Sequence, residues 1–538
     1  MLQLPFSILP FFVIIPVLIA VFLYVFSSVK TARIIAIGLQ AVFVAFAFVL
    51  FLASRETEIT VNVGNYAGFL GIILRADNLA AVFILLATVI FLLIGIYTLH
   101  DKTSRLYWFL LFILEGALIG LFLTRDFFNV FVLVEVSTII VTIMLMYDRK
   151  RRNMYAGMKF LMVNIVVMQF YLFGLGYIYM MTGVLEMEEV GRRLAVMDNA
   201  SLALPYALIM TSVAAKCSLL PLLTWLPKVN SIPGSEVSIA AIMSGLHIKS
   251  GVYLFIRFQE VFDGMASEFF LVIGIVTAVA GIVLALAQKD IRLILAYSTM
   301  AQISLIIIGL NINDGYSHTG AVFHIVNHAL FKVALFLGAG MIIRRYKTSD
   351  VTKLRGLFHL NPKLALATLL AILGMMGAPL FNGFISKYFL ASGAEGVLEW
   401  IKILINLGTI VVFVRYAAML FGKPSEDTKQ TEHGLEPDRC KDAAVLILGV
   451  VCLALGLFGA QIIEFLFSAY VSVDTRGYLE KVATFIISFG IGVVFYRYVL
   501  AKRNFLSKLK ALDLGFKGIC ASIGAFFAIL LIVVGVLY

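Results

Sequence analysis

His324, His328 and Lys332 recur at intervals of four residues within one apolar stretch, with Asn327 beside them. On an α-helix this spacing stacks three titratable groups on one face. Histidine ionises near pH 6.5 and can receive a proton on one ring nitrogen while releasing one from the other, so the ladder suits a proton relay through a hydrated interior. Other apolar stretches are interrupted by Glu115, Glu135, Lys216, His247, Lys249, Lys387, Arg415 and Glu464. A charge at the centre of a membrane helix costs roughly 2.5–3.5 kcal/mol on the insertion scale, so repeated intramembrane charges mark function.

Each of these residues has a role its type permits. Glu135 and Lys216 lie mid-span at similar depth and can form an ion pair. A static pair would lock two helices, but Lys216 stands beside Pro221, a poor place for a lock. Lys249 is flanked by Gly245 and Gly251, which admit close packing and water, and is assigned to the pathway. His247 is two residues away and points to a different face, so it fits packing as well as transport. Glu115 can feed protons to Glu135 from the neighbouring span, whereas Arg415 and Glu464 fit packing equally well. Acid and base groups strung across mid-membrane form a horizontal proton wire: if Lys216 loses its counter-ion, its proton moves on toward Lys249.

The elements that must hold these groups are membrane helices. Of 538 residues, 62% are apolar or aromatic and only 14% charged, against about 25% charged in soluble domains. Apolar stretches long enough to span a bilayer recur along the whole chain, so a polytopic all-α membrane protein is expected and a soluble enzyme, nucleic-acid binder or secreted disulfide scaffold is excluded. The net charge of +11 arises from Lys and Arg in short loops, a topology signal. Hydropathy gives about sixteen spans. Loops after odd-numbered spans hold most of the Lys and Arg, as in Arg149-Lys150-Arg151-Arg152 and Arg344-Arg345-Tyr346-Lys347, which places both termini outside. Residues 58–75 alternate partly, as in a small outer hairpin, and Lys502–Lys510 reads as an amphipathic helix on the anionic membrane face.

Two spans are broken alike. The seventh, 202–227, contains Lys216, Pro221 and Pro227; the twelfth, 364–391, contains Gly374, Gly377, Pro379 and Gly383 before Lys387. Interrupted helices in corresponding positions are the pattern of transporters built from repeats. Their offset implies inverted five-helix repeats, spans four to eight and nine to thirteen. The expected organisation is N-terminal spans in 1–104, a first repeat in 105–259, a second in 267–421, a cytoplasmic linker in 422–442 and C-terminal spans in 443–538. Cys217, Cys440, Cys452 and Cys520 show no metal-ligand spacing, and no haem motif or nucleotide loop occurs, so no cofactor and no metal are expected in this chain.

The segments carrying these residues resemble the antiporter-like subunit family shared by respiratory complex I, Mrp-type multisubunit sodium/proton antiporters and energy-converting membrane hydrogenases. The similarity runs through Asp126–Glu135, Lys216 with Leu219–Pro221 and Trp225–Pro227, Ile248–Tyr253, Asp290–Gln302, Phe323–Lys332 and Gly383–Lys387, in order from span three to span fourteen. The resemblance implies fourteen core spans, inverted repeats and broken seventh and twelfth helices. It also implies a proton-input pair at Glu135 and Lys216, a central lysine at Lys249, relay groups at His324, His328 and Lys332, and an exit group at Lys387. A lysine in the twelfth span is similar to the D-type member of the Mrp assembly. After Pro227 the family's usual acidic residue is replaced by Lys228, and the last two spans, 479–499 and 516–537, are additional and expected to meet a partner.

The resulting expectation is a proton-translocating subunit of an Mrp-type cation/proton antiporter in a prokaryotic cytoplasmic membrane, among other hydrophobic subunits, with sodium passing elsewhere in the assembly. The alternative is a pumping subunit of a redox-driven complex, whose chemistry would reside in partners. An autonomous carrier for an organic solute would need a roomy pocket in place of a lateral row of lysines.

Overall fold

The structure, a computed structural model, describes residues 8–26, 29–65, 71–101, 103–222, 225–230, 237–424, 438–500 and 514–537. From the N-terminus run α1 (Leu9–Phe26), α2 (Val29–Ser54), α3 (Asn78–Thr98), α4 (Arg105–Leu123), α5 (Phe127–Leu145) and α6 (Arg151–Thr182). α7 (Asn199–Lys216) stops at Lys216 and is followed by the short α8 (Trp225–Asn230); α9 (Val237–Val261) contains a π turn over Met243–His247. Next come α10 (Ser267–Ala287), α11 (Ile291–Leu310) and α12 (Gly315–Tyr346), then α13 (Pro362–Met376) and α14 (Asn382–Leu390). α15 (Val397–Ala417), α16 (Arg439–Leu457), α17 (Gly459–Phe467), α18 (Thr475–Leu500) and α19 (Phe516–Leu537) follow.

Among the described residues, fourteen helices are long and apolar enough to cross a membrane. The two further segments read as spans in the sequence are the interrupted ones, α7–α8 and α13–α14. Many of the helices begin on an acidic or amide cap. The side chains of Asp77, Asp126, Asp290, Asp314, Asn361, Asp438 and Asp474 each accept a backbone N–H of the first turn that follows, which satisfies donors the helix cannot.

The twelfth span breaks because Gly377 takes a left-handed conformation, φ 74°, at the end of α13. The two halves then cross so closely that a Cβ at Gly383 would lie 1.8 Å from the carbonyl oxygen of Gly374. A backbone clasp occurs twice elsewhere. Phe127 N–H donates to Leu185 and Met187 N–H to Arg125; Ile291 N–H donates to Ser349 and Val351 N–H to Lys289, all between 2.8 and 2.9 Å. Each residue of the second clasp lies the same number of positions beyond its counterpart in the first.

α9 and α12 form the interior: all of the apolar window of α9 and 94% of that of α12 are buried. The two additional helices sit apart, α18 against α15 and α19 against α7 and α6. The partly alternating segment forms an antiparallel pair, Ile59–Asn62 with Ile73–Ala76; residues 66–70 within it, like Lys502–Lys510, lie outside the described residues. The fourteenth span bends at Phe458, and Glu464 falls on α17 as an exposed residue. Its expected place inside the membrane core is not met: α17 packs on the bundle through Gly459 and Ile463, and Glu464 lies on its exposed face.

Asp77 ties three helix ends together. Arg257 Nη2 donates to both carboxylate oxygens at 2.7 Å, and Arg125 Nη2 donates to Oδ2 at 2.5 Å. Burial pushes the Asp77 carboxyl up, but Arg257, Arg125 and the Ala80 amide together outweigh it and hold the group below its ordinary value of 3.8. A depressed carboxyl stabilises the fold above its unfolded pKa, and that contribution disappears as the pH falls through the folded value. Asp77→Asn is expected to cost about 3–5 kcal/mol at neutral pH, since two buried guanidinium groups lose the carboxylate they share. Thermal unfolding of the detergent-solubilised protein checks this, and the advantage of wild type should shrink as the pH falls below the ordinary carboxylate value toward the lower folded one.

Candidate functional site: a buried row of basic groups

The row begins where α7 ends. Lys216 Nζ donates to Asn164 Oδ1 of α6 at 2.7 Å and to Thr138 Oγ1 of α5 at 3.1 Å. The expected direct ion pair with Glu135 is not formed among the described residues. Glu135 lies one turn before Thr138 and is half-buried on the outer face of α5, beside the exposed Val132, Val136 and Ile139. The two charges still lie within electrostatic reach of one another. The lysine stem leans toward α6, where a neutral amide meets its ammonium.

α9 passes close to Lys216, because Gly251 lets the helix approach until a Cβ would be 3.0 Å from the Lys216 backbone. His247 ends the π turn and Lys249 follows it by two residues, so the two point to different faces. Fully buried Lys249 donates from Nζ to the Ser244 carbonyl and lies within electrostatic reach of His324, His328 and Lys332. His247 faces the other way, its ring 6.4 Å from Phe160 and within reach of Lys216. His247 and Lys249 thus address the two halves of the row from one helix.

The ladder on α12 has the stacking its spacing implies. The His324 and His328 rings are 6.2 Å apart and nearly parallel, and both touch Phe331. His324 Nδ1 lies 2.8 Å from Ser386 Oγ and Nε2 lies 3.0 Å from Gln302 Oε1. Lys332 Nζ donates to Ser298 Oγ at 2.6 Å and to the Leu295 carbonyl at 2.8 Å. His328 is fully buried with neither ring nitrogen bonded to protein, as is His247 Nδ1. Buried polar atoms of this kind are ordinarily met by water.

Lys387 closes the row. It lies on α14, and its Nζ turns back to the end of α13, donating to the carbonyls of Met375 at 3.0 Å and Met376 at 3.3 Å and to Asn406 Oδ1 at 2.9 Å. An ammonium at a helix C-terminus is favoured by the partial negative charge there.

Glu115 stands outside this row. It is fully buried, and Gln40 Nε2 donates to its Oε1 at 2.5 Å and to the Thr88 carbonyl at 3.1 Å, which joins α4 to α2 and α3. The structure gives it no link to Glu135, its expected acceptor. Arg415 donates to the carbonyls of Leu286 and Gln288 and so ends α10. Sequence reasoning passed over Thr138, Asn164, Gln302, Ser386 and Asn406, which hold the charged groups. Their signal was available, since each is a polar side chain inside an apolar helix. His100, Asp438 and Cys440 also come together, with His100 Nδ1 3.2 Å from Asp438 Oδ1, although 338 positions separate those two in the chain.

A cavity of about 190 Å3 opens at the Arg152 end of α6, lined by Arg152, Lys159, Lys228 and the aromatic pair Phe160 and Trp225. That volume holds several waters. The Phe160 ring touches both Trp225, at 5.5 Å between centroids, and His247, so it stands between this cavity and the row.

Comparison with known proteins places this geometry. Residues 124–412 match the family described as NADH:quinone oxidoreductase/Mrp antiporter, TM. The D subunit of the Na(+)/H(+) antiporter from Alkalihalophilus pseudofirmus is 30% identical over 394 residues, covering 71% of this chain and 79% of that one. The N subunit of NADH-quinone oxidoreductase from Desulforudis audaxviator is 30% identical over 421 residues, covering 73% and 83%. The solved Mrp complex from Dietzia sp. contains a chain with the same fold, with TM-score 0.78, 22% identity and coverage of 91% of this chain and 99% of that one. The protein is therefore a multi-pass membrane protein with relatives that serve as subunits of larger membrane assemblies, and it belongs to the NADH:quinone oxidoreductase/Mrp antiporter family.

Proposed function

We propose that this chain is the proton-translocating subunit of a multisubunit Mrp-type cation/proton antiporter, and that protons pass along Glu135, Lys216, His247, Lys249, the His324–His328–Lys332 ladder and Lys387. The observation that carries the reading is a row of buried titratable groups in two electrostatically linked stretches, Lys216 with His247 and Lys249 with the α12 ladder and Lys387, both joined through α9. In a low-dielectric interior neighbouring positive charges disfavour one another, so a proton on Lys249 opposes protons on Lys332 and His328. Protonation then alternates along the row, and a charge change at the Glu135 end is felt at the Lys387 end. The twin clasps support a chain of two repeats, and the loop charges support an orientation with both termini outside a prokaryotic cytoplasmic membrane. Glu135 half-open on an apolar face supports a neighbouring subunit covering α5, since a carboxylate facing lipid is costly. Sodium is assigned to another part of the assembly.

Everted membrane vesicles containing the assembled complex test the proposal. A cation pulse should drive proton movement, and Glu135→Ala should reduce it strongly with the complex still assembled. Full transport in that variant refutes the pathway. The likeness to an NADH-quinone oxidoreductase subunit favours one second reading, in which electron transfer in partners drives the same row. Metal analysis of the complex purified from its native membrane separates the two: stoichiometric iron means a redox pump, and an iron-free complex means a gradient-driven antiporter.

A further inference from the structure

We propose that α18, one of the two additional helices, walls the vestibule through which Lys387 exchanges protons with the outward side, and that Lys402 is the proton-carrying group beyond Lys387. This rests on the proton pathway proposed above. A cavity of about 90 Å3 lies between α14, α15 and α18, and Lys387, Asn406, Lys402, Glu399, Thr484 and Ser488 are among its lining residues. It is roomy enough for more than one water.

Lys402 is the observation that calls for an account. Its side chain is only 6% exposed, and its Nζ donates to the Leu390 carbonyl at the end of α14, at 2.5 Å. The two halves of the broken helix therefore both end on a lysine: Lys387 closes α13 and Lys402 closes α14, and both ammonium groups line one cavity. Among the described charges, Asp314 at the start of α12 and Lys481 of α18 lie within its reach. Lys481 Nζ lies 3.2 Å from Glu399 Oε1, and these two side chains are 34% and 47% exposed, so the pair stands at the mouth.

α18 is built for this place. Lys481, Thr484 and Ser488 fall on one helical face and line the cavity, while Ile486 and Ile487 face away and are 62% and 63% exposed. A helix serving only as an anchor has no use for a polar stripe turned inward at membrane depth. The step assigned to the vestibule is a proton transfer: an N–H bond breaks at Lys387 and one forms at Lys402 through intervening water, and the positive charge moves with the proton toward the Glu399–Lys481 pair.

The experiment uses the assembled complex in right-side-out vesicles, with Cys440 and Cys520, the two native cysteines that are not buried, replaced by serine. Thr484→Cys and, as a lipid-facing control, Ile487→Cys are treated from outside with a membrane-impermeant cationic methanethiosulfonate. Modification of Thr484→Cys should lower coupled transport several-fold, and modification of Ile487→Cys should leave it unchanged. Lys402→Gln should lower transport several-fold, with Lys402→Arg retaining more of it. A Thr484→Cys that resists the reagent, or that is fully modified without loss of transport, overturns the vestibule, as does wild-type transport in Lys402→Gln. Lys216→Ala run alongside separates the failures: if it abolishes transport while the vestibule variants do nothing, only the vestibule falls; if it too is silent, the pathway falls with it.

Discussion

Lys216→Ala is expected to abolish coupled proton movement in everted vesicles and to leave the complex assembled. The ammonium sits where α5, α6 and α7 meet, held by Thr138 and Asn164 and within reach of Glu135 on one side and His247 on the other. Alanine removes the titratable step between them. The hydroxyl and amide left behind donate and accept hydrogen bonds but do not take up a proton near neutral pH. The loss should reach about two orders of magnitude, the scale of a missing proton-transfer group. Assembly should survive, because deleting a buried ammonium also deletes the cost of burying it. Flux from a dye-quench assay, normalised to complex recovered by size exclusion, gives the result; wild-type flux per complex would sink the assignment.

The second large effect is on folding. Gly383→Ala places a methyl group 1.8 Å from the Gly374 carbonyl oxygen, and that neighbour is backbone. Overpacking that side chains can absorb costs about 1–3 kcal/mol. Here nothing flexible is available, so α13 and α14 must separate, and with them Lys387 and its acceptors at Met375 and Met376. Little or no assembled protein is expected. Gly490→Ala in α18 is the control, because a Cβ there meets nothing within 4 Å and alanine is the better helix former. Recovery of the two variants by size exclusion makes the comparison, and normal recovery of Gly383→Ala would show that the two half-helices can part without cost.

The sequence was informative wherever a residue type conflicts with its surroundings. Lys249, His328 and Lys332 advertise themselves, because nothing but function or a specific partner keeps a basic group in an apolar run. Gly377 and Gly383 gave away the broken helix for a similar reason, being poor helix formers in a membrane span. What spacing along the chain could not give was the direction of each side chain. Glu135 and Lys216 have matching depth and opposite charge, yet the lysine turns to Asn164, whose polarity inside an apolar helix is visible in the sequence but whose partner is not. Glu115 shares a sequence neighbourhood with Glu135, but α4 presents it to Gln40. Lys402 stands near the start of its helix, where a lysine ordinarily snorkels to the interface; only the position of Leu390, brought there by the break, shows that it is held inside.

The π turn at Met243–His247 has a consequence for how such a protein can change over time. An ordinary helical residue advances the next by about 100°, so a wide turn amounts to one residue more than the bundle needs. Removing one of Met243–Leu246 would restore a regular helix and rotate everything after the cut by that angle relative to Val237–Ile242. With Val237–Ile242 held in place, His247 would turn from Lys216 and Lys249 from the α12 ladder together, since both follow the cut. The connection between the two halves therefore depends on a count as much as on chemistry: substitutions around the turn leave the wiring in register, whereas a single-codon deletion turns both groups out of it at once.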